Sequence, residues 1–139
     1  MNHPQLENLV RIGRLHVEPS DEAEVQGLLR SGGLRLGDAI REELSLDSRF
    51  DLAYNAAHAL ALAALRYQGY RCQSRYLVFQ CLQHTLGLPA EQSRVLDQAH
   101  RKRNIAEYEG EIDVDEQLTA AVLRVAEDVR KRLATLVGP

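Results

Sequence analysis

The stretch DSRFDLAYNAAHALALAALRYQGY, residues 47–70, constrains the fold more than any other part of this chain. Phe50, Ala53, Ala57, Leu60 and Ala64 recur at helical spacings of three and four, while Leu52, Ala56, Ala59 and Ala63 cover the other side. A helix that is apolar nearly all round is buried on several faces. This segment is therefore expected at the centre of a helical assembly, with Asp47 or Ser48 as its N-cap and Gly69 as its stop. Its many alanines permit close approach of neighbouring helices. Its most apolar part, LAYNAAHALALAAL, is too short to span a membrane and carries Asn55 and His58.

Further helices surround it. HPQLENLVRIG, residues 3–13, reads as a short helix stopped by Gly13, with Pro19 in the following loop. SDEAEVQGLLRSGGLRLGDAIREEL, residues 20–44, opens with Ser20 as N-cap and acids in its first turn. Gly27, Gly32, Gly33 and Gly37 each weaken it by up to ~1 kcal/mol relative to Ala, so a single long helix there has to be held by packing. QSRYLVFQCLQHTLG, residues 73–87, is expected as one helix ended by Gly87. Pro89 then opens PAEQSRVLDQAHRKRNIAEY from a first-turn position, and Gly110 stops it. After the loop EIDVD, residues 115–137 supply a last helix, acidic at its start and basic near its end. No segment alternates with period two. The expected fold is one all-α domain over residues 1–139, an antiparallel bundle of about five helices with a short leading one.

Composition narrows function by exclusion. Cys72 and Cys81 form neither a CxxC pair nor a zinc pattern. EGEIDVDE lacks the glycine and spacing of a calcium loop, and RFDLAY has no His pair beside its carboxylate, so no metal site is expected. No GxxxxGK[ST], GxGxxG or GxSxG occurs, and no cofactor is implied. MNHPQLENLV shows no basic stretch before an apolar core, which points to a cytoplasmic protein. A net charge of −3 argues against indiscriminate binding to nucleic acid. Yet between Leu52 and Ala106 seven Arg or Lys residues stand against only Glu91 and Asp97. That split suggests one basic surface able to hold an anion.

The densest basic step is in AHRKRNIAEYEGE, residues 99–111. At 3.6 residues per turn, Leu96, Ala99, Arg103 and Ala106 share one face, and His100, Asn104 and Tyr108 fall on a neighbouring strip. A guanidinium on a packing face is costly unless it is paired or reaches water. Arg103 thus has three readings: extension along the core edge, a local pair with Glu107, or a place in a cleft or dimer seam. In the last case its planar donors bind phosphate beside Asn104 and Tyr108. Tyr54, Asn55 and His58 interrupt the apolar central helix with polar groups that need partners. They are either satisfied inside the core or line the Arg103 cleft, where His58 would supply acid–base chemistry. His3 and His84 are isolated and read as surface residues.

Two stretches resemble the HEPN superfamily of helical nucleotide- and RNA-associated proteins. SRFDLAYNAAHALALAALRYQGYR is similar to that family's Ala/Tyr-rich helix followed by a glycine break. RKRNIAEYEG is similar to its Arg-based motif, in which an Arg and a polar neighbour precede a His by a few positions. The resemblance covers residues 44–137. It implies a HEPN-like bundle that pairs as a homodimer, here through the Leu96–Ala99–Ala106 face, and that binds RNA, DNA or a nucleotide. Arg103 matches the motif Arg and Asn104 its polar neighbour, but Tyr108 stands where the family's RNases carry His. A phenol of pKa near ~10 is a poor proton shuttle at neutral pH, whereas imidazole is near ~6.5.

The resemblance therefore implies a nucleotide- or nucleic-acid-binding protein without strong catalytic activity, its basic face formed by Arg101, Lys102 and Arg103 with Arg71 and Arg75. Two other functions follow from the same resemblance. One is a metal-independent RNase toxin of a toxin–antitoxin pair, using Arg103 and Asn104 with Tyr108 or His58. The other is an interaction partner of a nucleotidyltransferase.

Overall fold

The computed structural model describes residues 3–111 and 113–138. In chain order the elements are α1 (Pro4–Arg11), β1 (His16–Val17), α2 (Glu22–Ala39), α3 (Leu46–Tyr67), β2 (Tyr70–Arg71), α4 (Arg75–Gln80), α5 (Leu82–Thr85), α6 (Ala90–Glu109) and α7 (Glu116–Val137). This is the all-α helical bundle expected from the sequence, with one very small sheet added.

Helix α3 is the centre. Phe50, Ala53, Ala57, Leu60, Ala64 and Leu65 are all fully buried, and so are Ala56 and Ala63 on the other side. It packs on α2 and α7 along its length and on α4, α5 and α6 more locally. Burying a Leu or Phe side chain contributes roughly 1.5–3 kcal/mol, so this one helix organises the core. A single apolar cluster runs from Leu6 of α1 through Leu36, Phe50, Leu77, Leu82 and Leu96 to Val122 of α7.

The glycines of α2 find their explanation in this packing. A Cβ built on Gly32 would lie 2.6 Å from Leu60 Cγ, so only a glycine lets α2 approach α3 this closely. The helix runs unbroken through its four glycines because tertiary contact outweighs their weak propensity. It ends at Ala39, short of the expected Leu44, and its N-cap is Asp21, not Ser20. Asp21 Oδ1 accepts from the amides of Ala23 and Glu24 at 3.0 and 3.3 Å. Likewise Ser45, not Asp47 or Ser48, caps α3, its hydroxyl accepting the Ser48 amide at 3.1 Å. In both cases several adjacent cap-type residues compete, and only the backbone course selects one.

Three further expectations change. Residues 73–87 form two short helices, α4 and α5, divided at the buried Cys81. Pro89 is the N-cap of α6 and not its first helical residue. The strands β1 and β2 pair antiparallel, His16 with Arg71 and Val17 with Tyr70. Gly69, with φ of +93°, turns the chain out of α3 and so brings Tyr70 back to the N-terminal segment. Two-residue strands are too short to show a period in sequence.

Among the described residues, no helix is long and apolar enough to cross a membrane.

Candidate functional site

One turn-by-turn strip of α3 carries Asp51, Tyr54, Asn55 and His58. Spacings of three and four put them on one side of the helix, and that side faces α4 and α6. Residues that the sequence separates by about fifty positions meet here.

The centre is Tyr54, only 1% exposed. Its hydroxyl lies 3.0 Å from His100 Nδ1, and His100 Nε2 lies 3.1 Å from Asn104 Nδ2. A neutral imidazole protonated on Nδ1 satisfies both contacts, the Asn104 amide donating to Nε2 and Nδ1 donating to the Tyr54 oxygen. Burial lowers the pKa of His100 below the ordinary histidine value, favouring this neutral ring, and burial likewise raises that of Tyr54. His58 is held more strongly. Burial first, then the charge of Arg75 and the neighbouring His100, bring its pKa down from 6.5 to about 4. Its ring meets Phe79 edge-on at 5.8 Å.

Two guanidiniums border this core. Arg75, at the start of α4, donates from Nη1 to Asn55 Oδ1 at 3.0 Å and lies 5.7 Å from the centre of the Tyr54 ring. Asn55 in turn donates to the Asp51 carbonyl at 2.8 Å. Arg103 of α6 reaches Asp51 Oδ1 with its Nε at 3.0 Å, both side chains being partly exposed. Arg103 thus pairs across helices with Asp51, and not locally with Glu107. Its terminal nitrogens make no hydrogen bond among the described residues.

The expected basic face does not form as one surface. Consecutive helical residues point about 100° apart, and the Arg101–Lys102–Arg103 step is dispersed accordingly. Arg101 is exposed. Lys102 approaches Asp113 at 3.5 Å and lines a cavity of about 520 Å³ between α6 and α7, with Gln98, Leu118 and Arg124. Arg71 lies at the far end of α3, bound to Glu18 at 2.8 Å and Glu24 at 2.6 Å. Arg66, 1% exposed, joins the same two carboxylates. The local positive excess read from the sequence is therefore dispersed, and its Arg66–Arg71 part is neutralised by Glu18 and Glu24.

Of the residues singled out from sequence, Arg75, Arg103, Asn104, Tyr54, Asn55 and His58 do come together. Tyr54 lies beneath the surface and does not line a cleft. Tyr108 is 93% exposed near the end of α6, one turn beyond Asn104. Of the Leu96–Ala99–Ala106 face expected to close a seam between two copies, Leu96 and Ala99 are buried inside the single chain and Ala106 is half-buried. His100 was legible as a neighbour of Asn104 on the helix, but its link to Tyr54 was not. Asp51 gave no signal in sequence as the partner of Arg103. Among the described residues, no three His, Cys, Asp or Glu side chains gather as metal ligands.

Compared with protein-family models, curated proteins and solved structures, the chain matches none.

Proposed function

We propose that this protein is a HEPN-like module that binds the phosphate of a nucleotide or nucleic acid, without strong catalytic activity, at the edge where Arg75 and Arg103 meet α3. The observation that carries this reading is the convergence of two arginines from different helices on Asn55 and Asp51. Those anchors are four residues apart, about 6 Å along the axis. Planar guanidinium groups suit phosphate oxygens through paired N–H donors.

The surroundings favour binding over cleavage. Both ring nitrogens of His100 are already engaged, by Tyr54 and Asn104. His58, with its pKa down to about 4, is uncharged at neutral pH and abuts Phe79. The partly exposed guanidiniums remain the groups best able to meet an anion.

Fluorescence anisotropy with a labelled oligonucleotide and with a nucleotide, at low salt, tests the reading. Binding is expected to weaken with salt, the logarithmic slope on a single strand being about −0.7 per phosphate contact. Arg75→Ala and Arg103→Ala each weaken it, and the double change Arg101→Ala with Lys102→Ala weakens it less. Absence of binding at low salt would sink the proposal. RNA cleavage in EDTA that vanishes in Arg103→Ala would replace it with the RNase reading.

A further inference from the structure

An exposed aromatic ring stands where α4 approaches α6, against His100. Tyr76 follows Arg75 on α4 and is 47% exposed, and its ring lies 6.1 Å from that of His100 at 46°. His100 in turn is fixed by Tyr54 and Asn104 and meets Phe79 at 6.4 Å. Tyr76 is thus the outermost member of an aromatic series that begins in the core at Phe50 and Tyr54, whose rings stack at 6.4 Å. Tyr108 offers a contrast: it is 93% exposed, and no ring pairs with it among the described residues. A ring held by neighbours loses little conformational freedom when a flat partner settles on it.

From this juxtaposition we infer that Tyr76 is a base-stacking residue. The ligand of this edge then carries an unpaired nucleobase, which lies on Tyr76 while its phosphate is held by Arg75 and Arg103. The inference rests on the phosphate-binding reading above and adds to it the chemistry of the rest of the ligand. Base stacking on an aromatic side chain is sequence-tolerant, because every base has a π-face, and it requires the base to be unpaired. The charge pattern agrees. Asp51 pairs with Arg103, Glu107 as well as the two arginines is felt at Tyr54, and the whole chain is at −3. A surface so mixed in sign is poorly matched to the dense phosphates of a duplex, and better matched to a few phosphates with an apolar contact added.

The experiment compares an oligouridylate of about ten nucleotides with an abasic strand of the same backbone length, both at low salt. The base-bearing strand is expected to bind about tenfold more tightly, as one stacked base allows. Tyr76→Ala should abolish that preference while leaving affinity for the abasic strand unchanged, and Tyr76→Phe should retain it. Equal affinity of the wild type for the two strands, or a preference that survives Tyr76→Ala, overturns the stacking role and leaves phosphate binding standing. Binding of neither strand overturns both. Loss of abasic binding in Arg75→Ala, with Tyr76 intact, would locate the phosphate as described.

Discussion

Two arginine groups lie toward opposite ends of α3, and they are built differently. At the C-terminal end Arg66 and Arg71 share Glu18 and Glu24. Arg66 also donates to the Glu18, Pro19 and Tyr70 carbonyls at 2.9, 2.7 and 3.2 Å. This guanidinium is almost wholly buried and saturated with acceptors. It ties the loop before α2, α2 itself and the small sheet to α3. Toward the N-terminal end Arg75 and Arg103 each make one polar contact to α3, Arg75 lying also over the Tyr54 ring, and both remain partly in water. The residue type is the same in both places. The number of acceptors around it separates a structural clasp from a surface with donors to offer.

The largest expected effect belongs to the clasp. Arg66→Met would leave three backbone carbonyls without this donor and the Glu24 carboxylate with Arg71 alone. Leaving a buried acceptor without its donor costs about 1–3 kcal/mol, and three are affected here, a loss that a urea denaturation series would read directly. A loss under about 1 kcal/mol, the range of an exposed pair, would erase the distinction between the two groups.

Acid should affect the two ends in different pH windows. His58 has its pKa brought down from 6.5 to about 4, so between those values the unfolded chain takes up a proton more readily than the folded one. Stability therefore falls as pH drops through that window. Hydrogen bonds from Arg71 and Arg66 hold the Glu24 carboxyl below its ordinary 4.5. Its contribution is present above that value and is lost as pH falls through the lower folded value. Denaturation midpoints measured across pH should show the first decline flattened by His58→Gln and the second flattened by Glu24→Gln. A single decline insensitive to His58 would contradict the burial of that ring.

The smallest effect should come from the open end. Arg103→Ala removes a half-exposed ion pair and is expected to cost no more than about 1 kcal/mol. Its consequence should appear in ligand affinity, read by anisotropy, and not in the denaturation midpoint. If Arg103→Ala unfolds the protein as readily as Arg66→Met, Arg103 belongs to the core and not to a binding edge.

Most of the helices, and which of them lies at the centre, are legible in the amino-acid pattern alone. Apolar residues on every side of residues 50–65 left that helix no place but the middle, and the period of 3.6 ruled out a sheet as the main element. The pattern also marked Tyr54, Asn55, His58 and Arg103, because polar groups on packing faces need partners, and it marked Arg75 through the local basic excess and Asn104 through its place beside Arg103. Only the tertiary structure decided what those partners are. Glu18 and Glu24 reach Arg66 and Arg71 from more than forty positions away, while Asp51 reaches Arg103 and Tyr54 reaches His100 across a helix–helix contact. Such pairings depend on the rotation and approach of whole helices, down to the missing Cβ of Gly32 against Leu60. Local periodicity places a side chain on a face of its own helix. It carries no information about which charge stands on the helix opposite, and that charge decides whether an arginine is saturated or free to bind.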